Sequence, residues 1–375
     1  MTTHAKAKPL WVTTGALAPA RNLHTMTVLA NGKILVAGGT DKDHAALDSA
    51  TLYDPVTGSW TPTGNLRVAR VGHTATLLPT GQVLVVGGRS GLVSIDTAEL
   101  YEPSIGKWIS TGSVRDARSS HTATLLTSGL VLAAGGIDAG SFADRLNTAE
   151  LYSPVSGKWS ATGTLTLENG RASHTATLLE DGMVLVVGGN TFGPLMAEGA
   201  ELYDPIHGLW RSTGTPTTVR VDHTATRLQN GKVLIAGGVS SNGLSAELDS
   251  AELYDPIQMS FSATAGLSTG RNRHTATLLR NGEVLITGGF KDVVAGGITN
   301  RSTLNVAELY EPSAARWTIT THLREGRGEH TAALLPHGTV LVAGGATRGN
   351  DGSAPLNGAE LFRSGADGAG DFATD

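Results

Sequence analysis

Seven Gly-Gly doublets punctuate this chain of 375 residues: Gly38-Gly39, Gly87-Gly88, Gly135-Gly136, Gly188-Gly189, Gly237-Gly238, Gly288-Gly289 and Gly344-Gly345, spaced 48 to 56 residues apart. A period of that size marks an array in which each small unit buries its apolar face against the next copy. The second unit shows the pattern, RVGHTATLLPTGQVLVVGG, then a variable stretch, then AELYEPSIGKWISTG, running from Arg70 to Gly112. HTATLL and VLVVGG are β-prone runs separated by a short polar turn. Asn31-Gly32 and Asn230-Gly231 suit a primed hairpin turn there, with positive φ at both central residues. The third strand, typified by AELYDP, is stopped by a proline that cannot continue the ladder. The fourth, typified by KWSATG, follows a glycine-bearing turn. Four antiparallel strands repeated seven times predict an all-β, seven-bladed propeller rather than a sandwich. No helical period of useful length interrupts them. The 49 glycines, being fixed in place, mark turns and not disorder.

The ends fit the same plan. The chain opens with an orphan fourth strand, Leu10-Trp11-Val12-Thr13-Thr14-Gly15, and its last unit stops after a third strand, Ala359-Glu360-Leu361-Phe362. The opening segment is expected to complete the last blade and so remove an open edge. Residues 1–9 and 364–375 are expected to be flexible ends around one domain, 10–363. The formal charge of -5 is interspersed, with no basic stripe for nucleic acid and no charged tail. Cysteine is absent, which excludes disulfides, thiolate metal sites and cysteine nucleophiles. No run approaches the ~20 apolar residues of a membrane span, and the N-terminus lacks a signal-peptide core. The expectation is a cytoplasmic monomer without membrane or nucleic-acid partners.

The doublets, a third-strand tyrosine and a fourth-strand tryptophan together resemble the kelch repeat over essentially the whole chain. Tyr53, Tyr101, Tyr152, Tyr203, Tyr254 and Tyr310 fill the first aromatic position, with Phe362 in the seventh copy. Trp60, Trp108, Trp159, Trp210 and Trp317 fill the second, with Phe261 in the fifth and Trp11 completing the seventh. The resemblance implies a kelch propeller and leaves function open, because such propellers host enzymes, adaptors and scaffolds alike. It departs from the copper radical oxidases of that fold, which need a tyrosine crosslinked to cysteine.

Every unit carries Arg-x-x-His: Arg21/His24, Arg70/His73, Arg118/His121, Arg171/His174, Arg220/His223, Arg271/His274 and Arg327/His330. Sevenfold repetition places one histidine per blade, which reads as architecture rather than a metal site of three or four close ligands. No metal and no cofactor are expected. Each arginine is expected to meet a third-strand glutamate (Glu99, Glu150, Glu201, Glu252, Glu308, Glu360) as a buried bidentate pair, with Thr51 leaving the first blade without the acid. Gly266-Leu267-Ser268-Thr269-Gly270 matches a nucleophile-elbow pattern but falls in a blade-to-blade loop, where that motif has no strand-to-helix turn.

Departures from the repeat mark the loop face, where the strand-two-to-three and blade-to-blade connections emerge together. Phe142, Phe192 and Phe290 fall in the variable loops, with Leu195 and Met196 beside the second; they either cap their own blades or form an apolar wall for a ligand. The residue before each histidine reads Leu23, Gly72, Ser120, Ser173, Asp222, Arg273, Glu329 around the ring. Its last three members are either a salt-bridge brace or a polar site in which Arg273 holds an anion while Asp222 or Glu329 acts as acid or base. Lys291, Arg301, Arg348 and Asp351 add charge nearby, with Lys42, His44, Asp144, Arg145 and Glu168 on the other side. Two functions stay open. One is a propeller that binds a small molecule or protein at the channel mouth; the other is a cofactor-independent isomerase, epimerase, lyase or cyclase working there.

Overall fold

Runs such as Val83–Val86, apolar at every position, are buried on both faces as the second strands of seven blades in the computed structural model. It describes residues 9–138, 145–191, 196–240, 246–295, 298–349 and 352–364. Blade two is typical, with Thr74–Leu77, Val83–Val86, Ala98–Glu102 and Lys107–Thr111 paired in that order, all antiparallel. In blade seven, Thr331–Leu334, Val340–Ala343 and Ala359–Arg363 take their outermost strand from Leu10–Thr13. Trp11 sits opposite Phe362 with ring centroids 5.1 Å apart, so the chain closes its ring as expected. Residues 1–8 and 365–375 lie outside the described residues.

The core consists of seams between blades. Leu35, Ala37 and Ala50 of blade one pack on Val83, Val85, Tyr101 and Trp108 of blade two, and Ile34, Val36 and Tyr53 pack in the same way on Leu341, Ala343 and Ala359 of blade seven. The repeat aromatics work across these seams. Tyr101 shares a 2.7 Å hydrogen bond with Thr63, and Trp108 Nε1 donates to the Gly64 carbonyl at 2.7 Å, both partners ending blade one. Trp11 does the same across the seam between blades six and seven, donating to the Thr321 carbonyl.

Two local expectations need correction. At Asn31-Gly32 positive φ is confined to Gly32, at 80°, and the Gly32 amide donates to Leu29. The turn is therefore a type I turn with a glycine bulge, whose twist also suits a hairpin. Asn31 acts instead by accepting the Lys33 amide on its side-chain oxygen. The variable connections also carry strands of their own. Blades two, five, six and seven raise small hairpins from the loop face: Arg89–Ser90 with Val93–Ser94, Val239–Ser240 with Ala246–Glu247, Phe290–Ala295 with Ile298–Thr303, and Ala346–Gly349 with Gly352–Pro355.

The Gly-Gly doublets and the histidines explain one another. Gly87 has φ of 63°, and a Cβ there would lie 2.3 Å from the Arg118 carbonyl and 2.9 Å from His121 Cε1 of the next blade. At Gly88, φ of 94°, a Cβ would lie 2.9 Å from His73 Cβ of its own blade. Only glycine meets both demands. Each imidazole thus sets its Cε1 edge against the neighbouring doublet, and its Nε2 shares a hydrogen bond of 2.7 to 3.1 Å with a threonine of the preceding blade; His24 and Thr331 make the closing link.

The arginines brace each blade internally. In blades two to seven Nη2 meets the glutamate at 2.5 to 3.0 Å, while Nη1 donates to two backbone carbonyls, in blade two those of Gly87 and Thr97. The pair is not bidentate, because the glutamate's other oxygen accepts a backbone amide of the blade-to-blade loop, such as Arg67 N to Glu99 at 2.7 Å. Ser268, in the elbow-like pentapeptide, donates its amide to Glu308 in this role. Blade one lacks the acid as expected. Arg21 is fully buried on Gly38 and Ser49, and burial lowers its pKa to about 10.

Burial, with the adjacent arginine charge, lowers the pKa of His73, His174, His223 and His330 to about 3, and it holds the other three rings well below the usual range. The unfolded chain takes up a proton on each ring near pH 6.5, whereas in the folded chain His73, His174, His223 and His330 do so only near 3 and the other three well below 6.5. Acid therefore favours unfolding, and stability present above pH 6.5 is lost as pH falls toward 3. Each ring contributes about 1.4 kcal/mol per pH unit within that window. Denaturant titrations from pH 7.5 to 4.5 should show a steep fall in unfolding free energy, made shallower by about one proton in His121→Gln. A flat profile would contradict this.

Candidate functional site

The residue before each histidine is left-handed in all seven blades, with φ between 51° and 65° at Leu23, Gly72, Ser120, Ser173, Asp222, Arg273 and Glu329. Six of these are not glycine, a conformation that costs on the order of 1 kcal/mol each and persists where surrounding structure fixes it. Here backbone bonds across five of the seven junctions help to fix it. Ser120 N donates to Gly72 O, Ser173 N to Ser120 O, Arg273 N to Asp222 O, Glu329 N to Arg273 O and Leu23 N to Glu329 O, all at 3.0 to 3.1 Å. The last of these crosses the closing seam. These residues rim a cavity of about 620 Å³ at the channel mouth, also lined by Val71, Arg89, Leu92, Ile137 and Arg145.

Asp222, Arg273 and Glu329 do converge, as a brace. Arg273 Nε donates to Asp222 at 2.9 Å, its Nη1 donates to Glu329, and the second Glu329 oxygen accepts from Asn22 at 2.7 Å. Burial works against the Arg273 charge, but the two carboxylates outweigh it and raise its pKa above the usual value. Glu329 is 6% exposed, with both oxygens engaged. Asp222 is 26% exposed and commits one oxygen to Arg273.

The loop residues divide. Phe290 is a correction to the ligand-wall reading: it is fully buried, its ring lying where a Cβ on Gly328 would come within 2.5 Å, so it caps the neighbouring blade. Phe142, Phe192, Leu195, Asp144 and Asp351 lie outside the described residues, as do the side chains of Arg301 and Arg348. Lys291 is half-buried on the blade-six hairpin, and its carbonyl accepts from Ser302. Met196 bridges Asn190; exposed Lys42 pairs with Asp43; and His44 and Glu168 are exposed. Of these, the described side chains do not line the cavity.

Two arginines do. Arg145, on the weaker side of the sequence reading, donates from Nε to Asn190 at 3.1 Å and bridges Ile137. Arg89, which that reading passed over, follows Gly87-Gly88 and pairs its backbone with Val71. The signal was the column after the doublet, which runs Thr40, Arg89, Ile137, Asn190, Val239, Phe290, Ala346 and is as variable as the column before histidine.

Residues 2–190, just over half of the chain, match a family model described as the KLHDC2/KLHL20/DRC7 Kelch-repeats domain. The chain belongs to the kelch-repeat family. Mouse Kelch-like protein 28 is 33% identical over 104 residues, a match that covers 28% of this kelch chain and 18% of the mouse protein. Two solved structures share the fold. A fungal alcohol oxidase of the AA5 family, in complex with copper, aligns with a TM-score of 0.74 at 16% identity over 95% of this chain and 76% of that one. YjhT aligns at 0.62 and 14% identity over 82% of this chain and 99% of its own. At these identities the likeness is one of fold.

The brace yields a measurable consequence for this kelch ring. Glu329→Gln removes a charge facing Arg273 and should lower unfolding free energy by about 1–3 kcal/mol, as expected for a broken buried pair. Denaturant unfolding at neutral pH measures it, and unchanged stability would contradict the brace.

Proposed function

We propose that the protein is a binding propeller whose loop face holds a small molecule in the channel-mouth cavity. The observation that carries this reading is the cavity itself. At about 620 Å³ it falls within the range of small-molecule sites. Its lining combines apolar Leu23, Val71, Leu92 and Ile137 with the hydroxyls of Ser120 and Ser173. Backbone bonds across five of the seven junctions hold the rim, so little ordering is left for a ligand to impose. The brace favours binding over proton transfer, since Glu329 has no uncommitted oxygen and Arg273 is held between two carboxylates.

Ser120 already has φ of 52°, so a larger side chain there fills the cavity without a new backbone demand. A library of small metabolites screened by thermal shift should give compounds that stabilise the wild type, by about 2.7 kcal/mol at 100 times Kd. Ser120→Trp should unfold cooperatively and lose every such shift. Stabilising compounds that act equally on the plugged variant, or no stabilising compound at all, would overturn the reading.

A further inference from the structure

Arg89 and Arg145 are the cavity's guanidinium groups that no carboxylate answers among the described residues. The third, Arg273, is already neutralised by Asp222 and Glu329. Among the described residues of the lining, two positive charges stand at the Arg89–Arg145 end, while Arg273 with its two carboxylates carries one net negative charge. An arginine cannot shed its proton near neutral pH, so this charge is permanent.

The two arginines are placed by one connected piece of backbone. Arg89 is paired with Ser94 across the blade-two hairpin. Ser94 is buried, and its hydroxyl donates to the Ile137 carbonyl at 2.9 Å. Ile137 in turn bridges Arg145 on blade three. The hairpin carrying Arg89 is thereby tied to the segment carrying Arg145, and Asn190 orients the Arg145 head from the other side. Burial depresses the Arg145 pKa with no acid to offset it, a cost that a bound anion would relieve.

We infer, building on the binding reading above, that Arg89 and Arg145 form an anion site and that the ligand is a small organic anion, a carboxylate or phosphate monoester with an apolar body. Two guanidinium forks suit the planar oxygens of a carboxylate or the edge of a phosphate. Leu23, Val71, Leu92 and Ile137 receive the apolar part. The Asp222–Glu329 side repels a second negative charge, so the anionic group lies at one end of the ligand.

Isothermal titration of the full chain at low salt tests this with phenylacetate, phenyl phosphate, inorganic phosphate and the neutral phenylacetamide. Phenylacetate or phenyl phosphate should bind at least tenfold more tightly than phenylacetamide, and whichever binds better names the anionic group. Inorganic phosphate, lacking the apolar body, should bind more weakly than phenyl phosphate. Arg89→Met and Arg145→Met should each weaken the organic anion at least tenfold, while Asp222→Asn should not weaken it. Arg89 is exposed, so its replacement should leave the melting temperature unchanged and any loss of binding is local. Phenylacetamide binding as tightly as phenylacetate, affinities indifferent to both arginine changes, or no binding by any anion would each overturn the anion site. If neutral library compounds still bind and Ser120→Trp abolishes them, the cavity reading survives that failure; if nothing binds, both fall.

Discussion

An imidazole edge lies where a Cβ would be at every junction between blades, and the rest of the molecule is arranged around that contact. The first glycine of each doublet makes room for the histidine of the next blade, the second for the histidine of its own. The left-handed backbone that this demands bars other residues from either position. Because the contact repeats seven times around a circle, its energy depends on closure. An open chain of the same units would leave one doublet and one imidazole without their partners.

That circle also builds the site. The residue before each histidine is forced into a left-handed conformation, and across five of the seven junctions its backbone is bonded to the equivalent residue of the adjoining blade. Side chains on this rim therefore point from a rigid frame and can vary freely, because the main chain already satisfies the geometry. Blades five to seven use the freedom for a charge brace, blades one to four for small or apolar groups. The unanswered arginines stand on blades two and three. The result is a cavity with one wall of net negative charge and one basic wall.

The architecture was legible because a sevenfold pattern averages out local ambiguity. Tyr101 with Trp108 could be chance, whereas seven copies, including Tyr254 with Phe261 and Phe362 with Trp11, could not. The convergence of Asp222, Arg273 and Glu329 was legible for the same reason, since one repeat column maps to one radius of the ring. What failed rested on contacts that a repeat column does not show. Phe290 reads as an exposed loop aromatic until Gly328 is seen to vacate the space for its ring. The arginine–glutamate pair reads as bidentate until the backbone carbonyls and amides competing for both groups are counted. Arg89 was missed because its column is set by a bridge to Val71, a pairing that no strand pattern announces.

Closure by the opening strand is the claim on which cavity, brace and anion site all stand, and native-state hydrogen exchange measures it directly. Thr14 N donates to Ala359 at 3.0 Å, and residues 10–13 pair with 360–363. The account predicts that amides bonded within 10–14 exchange as slowly as those in the equivalent outer strand of blade one, 59–63. Exchange at the rate of an unstructured chain in 10–14, with the other blades protected, would contradict it.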